Sequence, residues 1–220
     1  RVSRGLGDVY KRQIINIPTE RSTMQDNNTI GYYNNHADEF YKSTVEIDFS
    51  AMQEKFLAEL KSGSCILDFG CGSGRDTRFF LEHGYQVDAI DASAELCRLA
   101  EEYTGIEVKN MYFQELSEIN KYDGIWACSS ILHLPGDELA QVMRKMVTAL
   151  KEKGIIYTSF KYGKFSGERN GRFFTDMTEA SFAEFLLKIS GVEVKEQWIT
   201  GDARPGREKE QWLNLILQKT

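Results

Sequence analysis

From Cys65 to Phe160 the chain alternates short apolar runs with amphipathic stretches, and this alternation restricts the fold more than any other feature. CILDFG (Cys65 to Gly70), QVDAID (Gln86 to Asp91), IEVKN, YDGIWACS and GIIYTSF (Gly154 to Phe160) have the length and content of strands. Helix patterns lie between them. Arg75 to His83 is closed by Gly84, and Ser93 caps a segment carrying Leu96, Leu99, Ala100 and Tyr103. Leu139, Val142, Met143, Met146, Val147 and Leu150 mark a long amphipathic helix. Strands apolar on both faces, separated by helices, imply a parallel sheet covered on both sides. Right-handed crossovers make that a doubly wound, Rossmann-like α/β fold. Past a helix at Thr178 to Ser190, VEVKEQWIT and QWLNLILQK predict an antiparallel hairpin that completes a mostly parallel seven-stranded sheet.

The start of the chain is expected to differ in origin from the rest. Ser3 to Gln13 reads SRGLGDVYKRQ, a string that DNA resembling a sequencing-library adapter with a terminal transposase recognition sequence would encode. Residues 1–23 are therefore expected to be read-through outside the fold and disordered, with Met24 as the natural start. Residues 24–220 then form one domain, as a chain of 220 residues allows. Within it, 31–62 is a helical arm. It includes YYNNHADEFY and SAMQEKFLAEL, where Ser50 and Gln53 form a capping-box pattern ahead of Met52, Phe56, Leu57 and Leu60. Residues 63–161 form the core, 162–176 a lid, and 177–220 the C-terminal helix and hairpin.

Composition excludes several functions. With 41% hydrophobic and 27% charged residues the chain has the make-up of a globular protein. A formal net charge of -6 disfavours nucleic acid and anionic lipid as partners. The apolar runs are too short to span a bilayer, so a cytoplasmic location without membrane contact is expected. Cys65, Cys71, Cys97 and Cys128 form no CxxC pair and no metal spacing, and are read as reduced thiols.

The first strand runs into Gly70-Cys71-Gly72-Ser73-Gly74 and then a helix. Glycines at such a turn allow positive φ and close approach of a ligand to the backbone. A dinucleotide fingerprint, G-x-G-x-x-G, fails in either register, because its third glycine falls on Arg75 or Thr77. A phosphate loop fails too, for want of its lysine. D-x-G-x-G-x-G remains, with Asp68 just before the loop. Asp91 ends the second strand about twenty residues on, where a carboxylate reads ribose hydroxyls in this kind of fold.

That pattern resembles motif I of the class I S-adenosylmethionine-dependent methyltransferases. From about Tyr32 onward the chain is similar to small bacterial members of the methyltransferase-domain superfamily, tellurite-resistance-type enzymes among them. The resemblance implies S-adenosylmethionine as cofactor. Asp68, Gly70, Cys71, Gly72, Gly74, Asp91 and Ala92 are the expected cradle. YDGIWACSSILHLP resembles the family's fourth motif, with Trp126 and Ala127 beside the cofactor. Where relatives often carry an acidic residue to meet the adenine amine, this chain has Asn110-Met111-Tyr112-Phe113, so Met111 and Phe113 are assigned to packing there.

Methyl transfer from a sulfonium is an in-line displacement that positioning and water exclusion can drive, so no elaborate triad is required. His133, just after the fourth strand, is the candidate base, with a packed histidine as the alternative reading. Cys128 lacks the Pro-Cys setting of a cytosine-methylating nucleophile, and ACSS replaces the D/N-P-P-aromatic stretch of amino-methylating DNA enzymes. Tyr162, Arg169 and Arg172 in the lid, and Arg204 before the last strand, are the candidate acceptor contacts. Three functions stay open: transfer to a small, anionic molecule; transfer to RNA or protein; and cofactor binding without catalysis.

Overall fold

The computed structural model describes residues 20–220 with the exception of Glu208; the adapter-like stretch lies outside the described residues. The elements are α1 (Glu20–Asn35), α2 (Ala37–Thr44), α3 (Ser50–Leu57), β1 (Cys65–Phe69), α4 (Arg75–Glu82), β2 (Gln86–Asp91), α5 (Ala94–Thr104) and β3 (Val108–Asn110). They continue with β4 (Tyr122–Ala127), α6 (Gly136–Ala149), β5 (Leu150–Lys161), β6 (Ser166–Arg169), β7 (Arg172–Thr175), α7 (Glu179–Leu186), β8 (Val192–Gly201) and β9 (Gln211–Lys219). Seven strands form one sheet in the order β3-β2-β1-β4-β5-β9-β8. The first five are parallel, and β9 runs antiparallel to β5 and β8. This is the mostly parallel, seven-stranded arrangement expected from the sequence.

Alternation along each strand sends side chains to two cores. On one face Leu67, Phe69, Ile125 and Ala127 pack with Met143 and Met146 of α6 and Phe182 of α7. On the other, Ile66, Trp126 and Tyr157 pack with Phe56 of α3 and Phe80 of α4. Burying one such large side chain contributes about 1.5–3 kcal/mol. α3 lies so close that a Cβ at Gly124 would sit 2.7 Å from Cζ of Phe56, a separation no side chain tolerates.

Two local readings need correction. Ser50 does not cap α3. It is the first helical residue, and Asp48 Oδ1 accepts from both its amide (2.9 Å) and its hydroxyl (2.6 Å). Gln53 instead turns inward and donates from its amide to Oδ1 of Asp76 at 2.6 Å. A buried carboxylate is a stronger acceptor than a solvent-exposed cap, and that decides its rotamer. The segment expected as a lid after β5 also has regular structure, where no strands were predicted. β6 and β7 pair as a hairpin turning on Asn170 (φ 50) and Gly171 (φ 75). Two successive positive φ values belong to the type I′ turn, which Asn-Gly favours. Ser93, by contrast, caps α5 as expected, its hydroxyl accepting from the Leu96 amide.

Candidate active site

Because β1, β2, β4 and β5 are parallel, their C-terminal ends meet at one edge of the sheet, and a cleft of about 780 Å³ opens there. β9 is antiparallel, so its N-terminal end also reaches this edge, where Tyr162 donates its amide to the Gln211 carbonyl at 2.8 Å. The loop before β9 thereby joins the rim.

The glycine loop forms one wall. Gly70 (φ +88) and Gly72 (φ +56) adopt left-handed backbone, and a Cβ at Gly70 would stand 2.5 Å from Cβ of Ser130. The loop amides are already used: Gly70 and Cys71 donate to the Ile90 carbonyl, Gly74 to the Cys71 carbonyl, and Gly72 to Oδ2 of Asp91. A phosphate-binding loop keeps such N–H groups aimed at its anion. Here four of them are spent within the protein, and a carboxylate stands beside the loop. The wall suits a ligand with a cationic centre better than a pyrophosphate.

Asp91 is the central polar group of this half. Oδ2 holds Gly72 and Oδ1 accepts from the Ser93 amide at 2.8 Å. Burial pushes its carboxyl upward, against the pull of the backbone donors. Cys71, Ala92 and Phe113 also line this half.

Five expected cofactor residues do not line the cleft. Asp68 lies beneath the loop, 1% exposed, and accepts from the Thr77 hydroxyl. Burial, reinforced by the nearby carboxylate of Asp76, pushes it up to about 8. Trp126 pairs in register with Asp68 and lies behind the lining, where its indole donates to Oδ2 of Asp76, itself a lining residue, at 2.8 Å. Ala127 and Met111 pack into the core on the α6 side. Gly74 backs onto α5, where a Cβ would meet Cγ2 of Thr104 at 2.8 Å.

The other half of the cleft holds all the expected acceptor residues: His133, Tyr162, Arg169, Arg172 and Arg204. Their charges are unequal. Arg169 pairs with Asp176, Arg204 grips Asp202 with two hydrogen bonds, and Lys161 pairs with Glu210. Asp202 is held down to about 2, the Arg204 guanidinium and amide outweighing its burial. Among the described residues Arg172 enters no ion pair. Its guanidinium stands 4.4 Å from the Tyr32 ring and 5.2 Å from the Phe174 ring, and its Nε is buried without a hydrogen-bond partner.

Sequence reasoning missed Tyr33, which α1 lowers into the cleft beside His133. It also missed Thr29, whose hydroxyl accepts from the Phe173 amide, and Asn34, whose side chain accepts from the Ser93 hydroxyl. The aromatic run around Tyr33 marked this stretch as a helical arm, but nothing local indicated where it docks. Burial pushes the Cys128 thiol up to about 12, which leaves it protonated and a poor nucleophile. Among the described residues no cluster of His, Cys, Asp and Glu could hold a metal ion, and no helix is long and apolar enough to cross a membrane.

Residues 66–154 match the family model of a methyltransferase domain. The chain is 37% identical over 130 residues to N-terminal Xaa-Pro-Lys N-methyltransferase 1 of Ailuropoda melanoleuca, covering 53% of this chain and 58% of that protein. It thus spans a little over half the length of this curated relative. An uncharacterized methyltransferase of Staphylococcus carnosus is 25% identical over 156 residues, covering 68% of this chain and 74% of its own. Among solved structures, 1,6-didemethyltoxoflavin-N1-methyltransferase of Burkholderia thailandensis superposes with a TM-score of 0.73 at 22% identity, covering 94% of this chain and 93% of that one. At that identity the likeness is one of fold. Family match, strand order and the D-x-G-x-G-x-G loop agree in identifying residues 66–154 as a methyltransferase domain.

Proposed function

We propose that the protein transfers the methyl group of S-adenosylmethionine to a small, anionic acceptor. The observation that carries this reading is the division of one cleft into two halves. A glycine wall with its amides already satisfied and a carboxylate lies at one end, and the Arg172 guanidinium, in no ion pair among the described residues, lies at the other. The first half fits the cofactor: Asp91 would accept ribose hydroxyls on its remaining lone pairs, Gly70 and Gly72 would pass close to the methionyl part, and Phe113 would pack on the adenine. When bound, the cofactor supplies a methyl group on a sulfonium that leaves as a neutral thioether.

The chain's own residues then orient the acceptor and exclude water. Arg172 would seat an acidic group of the acceptor, and His133 would be the final base for the proton that the transfer releases. Arg169 and Arg204, being neutralised by Asp176 and Asp202, would shape the pocket more than attract charge.

A second reading, methylation of a protein N-terminus, is favoured by the likeness to the N-terminal Xaa-Pro-Lys N-methyltransferase. Such an acceptor is cationic and would need free carboxylates at the mouth. Asp176, Asp202 and Glu210 are each engaged by a cation, which supports the anionic reading instead. The test has two arms. Calorimetric titration should give micromolar binding of S-adenosylmethionine and S-adenosylhomocysteine and none of NAD. Tritiated methyl transfer from the cofactor should then label a fraction of small acidic metabolites, and not a synthetic peptide beginning Xaa-Pro-Lys. Labelling of the peptide alone would reverse the assignment.

A further inference from the structure

The contacts of His133 assign its protons. Nδ1 lies 2.6 Å from the Phe173 carbonyl oxygen, which can only accept, so Nδ1 carries the proton. The ring is neutral: burial, helped by the cations of Arg172, Arg169 and Lys161, holds His133 down to about 4. Its one bare lone pair, on Nε2, points at the Tyr33 hydroxyl 2.8 Å away, so Tyr33 donates to His133. The basic atom of His133 is therefore already covered. An acceptor entering the cleft meets the oxygen of Tyr33, not the imidazole.

Arg172 is coupled to the same oxygen. Its Nη1 stands 3.4 Å from Tyr33 Oη, while its Nε is a buried donor with no hydrogen-bond partner among the described residues. Buried donors without partners are rare, and each calls for an explanation such as a catalytic role or a bound water or ion. Facing this pair are Tyr32 on α1, Asp91 on β2, Lys161 on β5, Arg169 on β6 and Arg172 on β7. Apart from Asp91 the charged members are cations, and a cation nearby opposes formation of an imidazolium.

Resting on the methyl-transfer reading above, we propose that Tyr33 is the catalytic residue that takes the acceptor's proton, passing its own to His133, and that the acceptor's acidic group on Arg172 arms this transfer. In the step the acceptor's X–H bond breaks and its proton binds Oη, while the original Oη–H bond breaks and that proton binds Nε2. The electron pair left on X is the pair that receives the methyl group. His133 ends as an imidazolium with Nδ1–H still held by Phe173, and it returns the proton to solvent after release. An anion on Arg172 cancels the nearest opposing charge, so the pair becomes a competent base only when an acidic acceptor is bound. Water, lacking that anion, does not arm it.

The probe is 4-hydroxy-3-nitrobenzoate, which carries a carboxylate for Arg172 and a phenol whose ionisation is visible by absorbance. It is added to the full chain saturated with S-adenosylhomocysteine, just below the pH at which the free probe ionises, with ¹⁵N-labelled histidine reporting His133. In the unaltered protein the bound probe should ionise and His133 Nε2 should gain a proton. Tyr33→Phe should bind the probe within threefold yet leave it protonated, and Arg172→Gln should lose at least tenfold in probe affinity. The idea is overturned if the probe fails to bind, if it ionises equally in Tyr33→Phe, or if free His133 carries its proton on Nε2. The histidine tautomer is read in the unaltered chain, so it stands even where a variant fails to fold. Loss of S-adenosylhomocysteine binding would sink the methyltransferase reading separately, because that measurement does not involve Tyr33.

Discussion

Oδ2 of Asp91 accepts from the amide of Gly72 at 2.9 Å, so the end of the second strand holds the loop that follows the first. The other oxygen takes the Ser93 amide, at the start of α5. A carboxylate offers about four lone-pair positions, so these donors do not exhaust its capacity to hold a ligand. One residue thus shapes the glycine wall and reads what lies against it.

Asp91→Ala is therefore expected to weaken S-adenosylhomocysteine binding by about 2–4 kcal/mol while the chain stays folded. Calorimetry with circular dichroism as the fold check measures this. Unchanged affinity in a folded variant would reduce Asp91 to a strut for the loop and for α5.

Asp68 and His133 predict opposite pH effects on the ligand-free protein. Asp68 titrates near 8 in the folded chain and near 3.8 unfolded, so the folded state binds the extra proton between those values. Stability should rise as pH falls through 8. His133 titrates near 4 folded and near 6.5 unfolded, so below 6.5 the unfolded state binds the extra proton and stability should fall. Between pH 8.5 and 6.5 only the Asp68 effect operates of these two. Melting temperature should rise over that interval in the unaltered protein and stay flatter in Asp68→Asn. The same slope in both would show that Asp68 is ionised throughout.

Gly70 and Gly84 separate two costs of adding a methyl group. Both have strongly positive φ, +88° and +80°, but a Cβ at Gly84 meets nothing within 4 Å while one at Gly70 collides with Ser130. Gly84→Ala should show backbone strain alone, and Gly70→Ala should lose about 1–3 kcal/mol more. Denaturant melts of the two variants make the comparison. Equal losses would mean that Ser130 moves aside freely.

The parts legible in the sequence are those fixed by local chemistry. β2 runs from Gln86 to Asp91, as its apolar pattern predicts, Ser93 caps its helix, and Gly70 and Gly72 line the cleft. The parts that were not legible depend on partners far along the chain. Tyr33 meets His133 across 100 residues, and Gln53 meets Asp76 across 23. Trp126 was assigned to the cofactor side, but strand alternation puts it on the face of Asp68, and Asp76 supplies the partner its indole needs there. Asn170-Gly171 is different: the dipeptide between SGER and RFFT is itself a local hairpin signal.

That hairpin sharpens the expectation of a lid. β7 is built into the domain: Phe174 lies in the core, the Phe173 amide donates to Thr29, and the Thr175 hydroxyl donates to the Leu134 carbonyl at 2.8 Å. β6 has β7 as its one sheet neighbour and is tied down through Arg169 and Asp176. Gly167 (φ +151) gives it a backbone that can swing cheaply. Motion should therefore divide at the turn. Residues 163–169 should exchange amide hydrogens rapidly in the free protein and slow at least tenfold with S-adenosylhomocysteine and an acidic acceptor mimic, while 172–175 should be slow in both states. Hydrogen exchange by mass spectrometry resolves the two halves. Rapid exchange in 172–175 without ligand would make the whole segment one moving unit. Full protection of 163–169 in the free protein would make it a fixed wall, and acceptors would then have to enter past the loop before β9.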